Sequence, residues 1–262
     1  MEETIKLKNI INNDYLLDIN NIEKNAESTD GNVYIIDDKY VMKIYDNITK
    51  VDSMTKLHIY LKSKCMNIPN IVLTKDNKEY VSLGDKYIVL YTFLDGKKIG
   101  TWFKEDNEII KGVAKELRKI HDLTANNNIF NLKEVPFKVD ESLKRKSILH
   151  FDPTKDNIFY NDKKIGFIDF DDAKYGPSIV DLAIICSLLF ITKKDGIELD
   201  KIKLFINEYY NGNVDMKEVK YLKEISLLWI NYIIDNNEFD TSTNESFENK
   251  RKLIDEKLNL IY

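Results

Sequence analysis

The residues best suited to chemistry lie in one short segment in the second half of the chain. His150, Asp152 and Asn157 form the pattern His-x-Asp-x-x-x-x-Asn, and Asp169 follows in an Ile-Asp pair. Phosphoryl transfer needs one carboxylate that accepts or orients the proton of the attacking hydroxyl. It also needs an amide and a second carboxylate that hold Mg²⁺ on the phosphates. The pattern therefore predicts Asp152 as the catalytic residue and Asn157 and Asp169 as metal ligands.

A predicted hairpin explains how the two metal ligands meet. Residues 158–160 and 165–168 form two short strand patterns, and Asn161-Asp162 is the turn between them. A tight hairpin returns its outer ends to one place, so Asn157 and Asp169 can share a cation, and hard oxygen ligands suit Mg²⁺. The alternative is a solvated Asp/Asn loop beside an ordinary strand pair.

The elements that must position this segment fall into two sections. The first is rich in β-branched and aromatic runs with one helical face, and the second is mostly helical. Asp95-Gly96 is a turn signal between them, so we expect lobes at residues 1–94 and 95–262 with a hinge at about 91–96. The predicted strands of the first section are 33–36, 40–45, 79–83 and 87–93, and its helix is 51–64. The main helical patterns of the second section are 107–123, 179–190, 199–209, 222–232 and 253–261.

Four motifs together resemble the aminoglycoside phosphotransferase and choline kinase superfamily. That family has the patterns H-x-D-x-x-x-x-N and I-D-x-x-x-A, then a small turn and D-L-A. The matching segments here are 150–157, 166–173, 175–177 and 181–183. The detailed match covers the middle of the C-terminal section, and weaker cues extend to nearly the whole chain.

The resemblance implies an α+β, bilobal protein-kinase-like fold. A small N-terminal antiparallel-sheet lobe with one helix would bind nucleotide, and a larger, mainly helical C-terminal lobe would carry catalysis and acceptor binding. The resemblance supports the roles of the three site residues and implies that Asp181 is a structural acid beneath the catalytic loop. It implies that His150 orients the loop, and it favours packing over catalysis for His121.

Further residues of the first section resemble the nucleotide site of the family. Lys43 matches the phosphate-pairing lysine of the third strand and shares a strand face with its apolar neighbours at a period of two. Ser28 and Gly31 lie in a polar loop whose backbone N–H groups would approach phosphates. Thr92 and Leu94 match the hinge, where backbone groups would hydrogen-bond adenine. A surface lysine, an ordinary turn and a plain strand end are the alternatives.

One feature departs from the family pattern. The family has a Glu on the first helix that pairs with the strand lysine, and the expected spacing reaches Met54 instead. The nearest acid on this helix is Asp52. Either Asp52 takes the role, or the ion pair is weak, or the expected spacing places the helix in the wrong register.

The acceptor is predicted to be a small molecule rather than a protein. Only eleven residues separate Asp169 from Asp181, which leaves no room for the long activation segment of protein kinases. Choline or ethanolamine, homoserine and thio-sugars are possible acceptors, but an acidic cluster favours a polycationic aminoglycoside. These acids are Asp235, Glu238, Asp240 and Glu245.

We therefore predict Mg²⁺-dependent transfer of the γ-phosphate of ATP or GTP to a small-molecule hydroxyl. The missing helix Glu motivates a second hypothesis, a non-catalytic nucleotide-binding protein with a kinase-like fold. The 262-residue chain has 39 basic and 44 acidic side chains, and its net charge of −5 argues against a nucleic-acid partner. With two distant cysteines, no signal-peptide pattern and no long apolar stretch, the expectation is a cytoplasmic protein without a membrane partner.

Overall fold

The computed structural model describes residues 2–26, 32–100, 106–162, 164–192, 196–236 and 240–258. The chain divides into two compact units, Met1–Asp95 and Gly96–Tyr262. No helix in these described ranges combines the length and the apolar character that crossing a bilayer requires.

A five-stranded antiparallel sheet forms the frame of the first unit, in the order β1-β2-β3-β5-β4. Its four predicted strands are confirmed, each within two residues of the predicted bounds. The three-residue strand β1 is additional, because so short a segment shows no recognisable alternation. The strands are β1 (Ile22–Lys24), β2 (Val33–Ile36), β3 (Tyr40–Tyr45), β4 (Val81–Leu83) and β5 (Lys86–Thr92).

The predicted helix of this unit is α2 (Ile48–Ser63). It begins three residues earlier than its apolar stripe, because the side chain of Asn47 accepts a hydrogen bond from Lys50 N and caps the first turn. Val51 of α2 packs with Val89 and Tyr91 on one face of the sheet.

The prediction of a single helix in the first unit is wrong, because α1 (Glu2–Asp14) covers the opposite face of the sheet. Leu7 and Ile11 of α1 are buried against that face, whereas Ile5 is 57% exposed. Two buried positions one turn apart form too narrow a stripe to reveal a helix at the sequence level.

Four of the five predicted helices of the second unit begin and end within about four residues of their apolar stripes. The last helix begins twelve residues before the predicted stripe of 253–261, at Thr241, and residues 259–261 of that stripe lie outside the described residues. The α4 helix is buried along almost its whole length and packs on α7, and α3 packs on α5. The short helix α6 was not predicted. The helices are α3 (Asn107–Leu123), α4 (Ile179–Leu189), α5 (Leu199–Tyr209), α6 (Met216–Val219), α7 (Leu222–Asn236) and α8 (Thr241–Lys257).

Short antiparallel strands connect these helices. The predicted hairpin is confirmed as β8 and β9, and β6 joins its outer side. Before β6, Gly96 has φ +130°, and a Cβ there would lie 2.7 Å from the carbonyl oxygen of Tyr160, so the strand approach requires glycine. The strands are β6 (Lys97–Lys98), β7 (Lys146–Leu149), β8 (Ile158–Asn161), β9 (Lys164–Phe167), β10 (Lys174–Pro177), β11 (Ile191–Thr192) and β12 (Gly196–Ile197), with β7 paired to β10 and β11 to β12.

The covering role of α1 leads to a stability prediction. Ile11→Ala should lower the free energy of unfolding by about 3 kcal/mol, because it removes buried methylene groups and leaves a cavity. Ile5→Ala, on the exposed side of the same helix, should change it by less than about 0.5 kcal/mol. Urea denaturation followed by circular dichroism measures both, and equal effects would show that α1 does not stabilise the sheet.

Candidate active site

The loop with the His-x-Asp pattern connects β7 to β8 and ends at Asn157. The β8–β9 hairpin places Asn157 beside the Ile168-Asp169 pair that follows β9. Ile158 pairs with Phe167 at the base of the hairpin. The next bond outward runs from Ile168 N to Asn157 O, at 3.0 Å. Asn157 therefore lies next to the residue that precedes Asp169, where the two side chains can converge.

Asp152 is tied directly to Asn157. The side-chain Nδ2 of Asn157 donates to Asp152 Oδ2 at 2.7 Å and to the Asp152 carbonyl at 3.0 Å. Thr154 N also donates to the Asp152 carbonyl, at 2.8 Å. These bonds fix the carboxylate through its Oδ2 and use the nitrogen of the Asn157 amide.

Carboxylates that follow β9 affect the pKa of Asp152. Burial, followed by the charges of Asp172 and Asp169, raises the pKa of Asp152 to about 7, although the Asn157 hydrogen bond opposes the shift. Asp169 has φ +63°, and its Oδ1 accepts a long hydrogen bond of 3.4 Å from Asp171 N. The site therefore concentrates negative charge and hard oxygen atoms.

This donor set suits a divalent cation shared with phosphates. Mg²⁺ takes one or two carboxylates from a protein and completes its octahedron with waters and phosphate oxygens. Asn157 and Asp169 would supply one amide and one carboxylate. A cation would offset the charges of Asp172 and Asp169, which add to burial in raising the pKa of Asp152. Within the described ranges, no group of three or more His, Cys, Asp or Glu side chains is arranged to hold a metal.

His150 lies at the start of the loop and is fully buried. Its Nε2 lies 2.8 Å from the carbonyl of Ile168, and its ring packs 4.6 Å from that of Phe170. Burial lowers the pKa of His150, although the charge of Asp181 opposes this. A neutral ring that donates from Nε2 ties the loop to the strand end before Asp169, so its contacts orient the loop.

Asp181, in the first turn of α4, holds the loop from below. It is fully buried, and its two carboxylate oxygens accept hydrogen bonds from His150 N at 2.7 Å and Phe151 N at 2.9 Å. His121 Nε2 lies 3.1 Å from the same carboxylate. These contacts anchor the loop between β7 and β8 to α4.

An aromatic cluster beside Asp152 was not predicted. Phe151 has φ +66°, a strained conformation for a bulky residue. Its ring stacks on Phe137 at 6.3 Å and meets Tyr232 of α7 at 6.2 Å. Lys174 Nζ lies 5.3 Å from the same ring centroid. The aromatic content of these segments was visible, but the contact joins residues from distant parts of the sequence.

The predicted nucleotide-side residues lie in the first unit. Lys43 is half-buried in the middle of β3, paired with Val33 and Val89, on the sheet face that α2 covers. Thr92 ends β5, and its N–H is donated to Asn70 O at 2.9 Å. Leu94 follows β5 and is half-buried. Ser28 and Gly31 lie outside the described residues.

Asp52, which could replace the helix Glu, and the acidic cluster predicted to attract the acceptor have different surroundings. Asp52 of α2 accepts a hydrogen bond of 3.3 Å from the Tyr80 hydroxyl. Asp235 and Glu245 are exposed, and Asp240 caps α8 by accepting a bond from Thr243 N. Glu238 lies outside the described residues.

A family model matches the segment of the chain that contains this site. Residues 131–208 match the family model described as "Phosphotransferase enzyme family", and this segment contains the loop, the hairpin and Asp181. No curated protein matches the sequence of the chain.

Solved structures share the fold over nearly the whole chain. Amicoumacin kinase hAmiN, in complex with AMP-PNP, Ca²⁺ and Ami, has a TM-score of 0.74 at 14% identity, covering 98% of this chain and 94% of that one. Spectinomycin phosphotransferase APH(9)-Ia, with ADP and spectinomycin, has a TM-score of 0.73 at 16% identity, covering 96% of each chain. Aminoglycoside phosphotransferase from Alicyclobacillus acidocaldarius subsp. acidocaldarius DSM 446 has a TM-score of 0.66 at 12% identity, covering 94% and 92%.

The fold is therefore the α+β fold of protein-kinase-like phosphotransferases, as predicted. The resemblance to the aminoglycoside phosphotransferase and choline kinase superfamily is confirmed by the family segment and by the fold. At these identities the similarity to solved structures establishes the fold, and the roles of individual residues are proposals.

The hydrogen bonds of Asp181 lead to a second stability prediction. Asp181→Asn should lower the free energy of unfolding by about 3 kcal/mol. The asparagine NH₂ group would face N–H donors that now bind the carboxylate, so at least one buried hydrogen bond would be lost. Asp235→Asn, at an exposed position of α7, should have almost no effect. Thermal and urea unfolding measure both, and a stable Asp181→Asn protein would contradict the anchoring role.

Proposed function

We propose that the chain is a small-molecule kinase that transfers the γ-phosphoryl group of ATP or GTP to a hydroxyl group. The proposal is carried by one observation, the meeting of Asp152, Asn157 and Asp169 at the base of the β8–β9 hairpin. A 2.7 Å hydrogen bond joins the first two. A 3.0 Å bond from Ile168 N to Asn157 O places Asn157 beside the residue that precedes Asp169. This arrangement matches the needs of phosphoryl transfer, where positioning and charge stabilisation supply most of the catalysis.

Asp152 acts on the acceptor. Asn157 holds Oδ2 of the carboxylate, so Oδ1 can accept the hydrogen bond of an acceptor hydroxyl and orient its oxygen toward the phosphorus. A group in this role must lie within about 2.6–3.2 Å of the hydroxyl oxygen. The proton passes to Asp152 as the bond from the acceptor oxygen to phosphorus forms and the bond to the leaving nucleoside diphosphate breaks.

Asn157 and Asp169 would hold Mg²⁺. When bound, the ion neutralises charge on the β- and γ-phosphates and aligns them. Asn157 would contribute its amide oxygen, because its side-chain N–H groups donate hydrogen bonds to Asp152. Asp169 would contribute a carboxylate oxygen from a backbone conformation that the loop holds at φ +63°.

The first unit would bind the nucleotide. Lys43 would pair with phosphate oxygens, Ser28 and Gly31 would belong to the phosphate loop, and Thr92 and Leu94 would flank the adenine or guanine. Because the Thr92 N–H is occupied by Asn70, its carbonyl and the groups of Leu94 are the better candidates for base recognition. Similar structures are named with AMP-PNP, ADP and GDP, which supports a purine nucleotide donor without deciding between ATP and GTP.

The proposed acceptor is an antibiotic of the aminoglycoside class. Solved structures of the same fold are named as complexes with spectinomycin, kanamycin and streptomycin. The exposed acids Asp235 and Glu245 would attract a polycation. Only β10 and the start of α4 follow Asp169 before Asp181, which favours a small acceptor over a protein. A cytoplasmic location, where ATP and GTP are available, belongs to the same proposal.

The catalytic role of Asp152 is tested by a matched pair of variants. Asp152→Asn should lower kcat by about 10²–10⁴-fold, because it removes the proton acceptor and keeps the shape of the side chain. Asp156→Asn, at an exposed position of the same loop, should stay within about twofold of the wild type. The assay couples nucleoside diphosphate release to a panel of spectinomycin, kanamycin, streptomycin and amicoumacin, with ATP or GTP. Equal rates for the two variants would contradict the assignment.

The metal role of Asp169 has a readout that needs no acceptor. Calorimetry should show that the wild type binds ATP or GTP more tightly in Mg²⁺ than in EDTA. Asp169→Asn should lose most of this difference and bind about tenfold or more weakly in Mg²⁺, because an anionic ligand is lost. Asp156→Asn should keep it. If Asp169→Asn also retained the full Mg²⁺ effect, Asp169 would not be a metal ligand.

A further inference from the structure

A chain of buried hydrogen bonds runs from α5 through α3 and α4 to the catalytic loop. The Tyr209 hydroxyl lies 2.7 Å from His121 Nδ1, and His121 Nε2 lies 3.1 Å from Asp181 Oδ2. Asp181 then accepts from the backbone N–H groups of His150 and Phe151. The three linking side chains are at most 1% exposed, so no water shell competes with these bonds.

The donor and acceptor roles follow from the acid at the inner end. An ionised carboxylate only accepts hydrogen bonds, so His121 donates from Nε2 to Asp181. In the neutral ring Nδ1 then carries a lone pair and accepts from the Tyr209 hydroxyl. The Asp181 carboxylate therefore sets the tautomer of His121, and the hydrogen bond from the Tyr209 hydroxyl reinforces it.

Tyr209 is itself held in place. The guanidinium groups of Arg118 and Arg145 lie 5.3 Å and 5.8 Å from its ring centroid. Asp122 accepts hydrogen bonds from both arginines. The Tyr209 hydroxyl therefore approaches His121 from a fixed direction.

The loop needs such a restraint. Phe151 has φ +66°, a conformation that β-carbon sterics disfavour, and it directly precedes Asp152. The bond from Phe151 N to Asp181 is one of the contacts that hold this conformation. A shift of Asp181 would change the bond and move the carboxylate of Asp152.

We propose that His121 and Tyr209 are positioning residues for the reaction at Asp152, acting through Asp181 and the Phe151 backbone. This inference rests on the proposed kinase function, because it assigns the network to the geometry of the same carboxylate. It differs from a packing role in its consequence, since loss of the network should alter the rate more than substrate binding.

The chain offers a matched control for the test. Tyr210, the next residue, is also buried, and its hydroxyl donates to Glu218 Oε2 at 2.7 Å, away from this network. Tyr209→Phe and Tyr210→Phe each remove one buried hydroxyl and keep the ring. Both should lower stability, but only Tyr209→Phe should lower kcat, by about tenfold with unchanged KM values, which corresponds to the loss of about one hydrogen bond.

Amide hydrogen exchange gives a readout that is independent of any acceptor. On the intact chain, the amides of His150 and Phe151 should exchange about tenfold faster in Tyr209→Phe and at the wild-type rate in Tyr210→Phe. At His121, Gln can still donate to Asp181 and Leu cannot, so His121→Gln should retain more of kcat and of the amide protection than His121→Leu.

The outcomes separate the two proposals. Equal kcat and equal loop exchange in Tyr209→Phe and Tyr210→Phe, in a protein that Asp152→Asn inactivates, would overturn the positioning role and leave the kinase function intact. If the wild type transfers no phosphate, the kinase function fails. The exchange data then still decide whether Tyr209 holds the loop, and wild-type exchange in Tyr209→Phe would overturn the inference.

Discussion

The second unit depends on the buried carboxylate of Asp181. An uncompensated charge inside a protein costs several kcal/mol, so Asp181 must be surrounded by donors. Two of these are the backbone N–H groups of His150 and Phe151, in the loop between β7 and β8, and a third is the His121 ring on another helix. The carboxylate receives all three hydrogen bonds only when α3, α4 and the loop are correctly placed. The cost of burying it without them therefore disfavours other conformations of the loop.

The loop that Asp181 anchors and the segment that follows β9 hold both backbone strain and negative charge. Phe151 and Asp169 have positive φ angles, and burial, followed by the charges of Asp172 and Asp169, raises the pKa of Asp152 to about 7. Such conformations persist only where the surrounding structure over-determines them. Here the Asp181 bonds, the His150 contact with Ile168 and the aromatic contacts of Phe151 supply the restraint. A binding site for a cation and phosphates is consistent with stored negative charge that a ligand would relieve.

The first unit is built on a different constraint, since its sheet has two faces to cover. Alternation along β3 directs Met42 to one face and Val41 and Tyr45 to the other. Met42 packs under α1. Val41 and Tyr45 pack under α2 with Val89 and Tyr91. Lys43 shares the second face, so a cationic side chain lies among apolar and aromatic neighbours on the strand where the family resemblance expects a phosphate-pairing lysine.

The sequence by itself determined the strand and helix patterns with clear periods, the β8–β9 hairpin and the His-x-Asp-x-x-x-x-Asn pattern. These signals are local, because alternation, apolar stripes and turn residues act over a few positions. The tertiary structure alone decided that α1 covers the sheet, that five short strands join the second unit, that Phe137 and Tyr232 enclose Phe151, and that Tyr209 reaches Asp181 through His121. Two buried side chains one turn apart or a two-residue strand leave too weak a pattern in sequence. Contacts between residues 88 or 60 positions apart exist only after the chain folds, because packing brings the partners together.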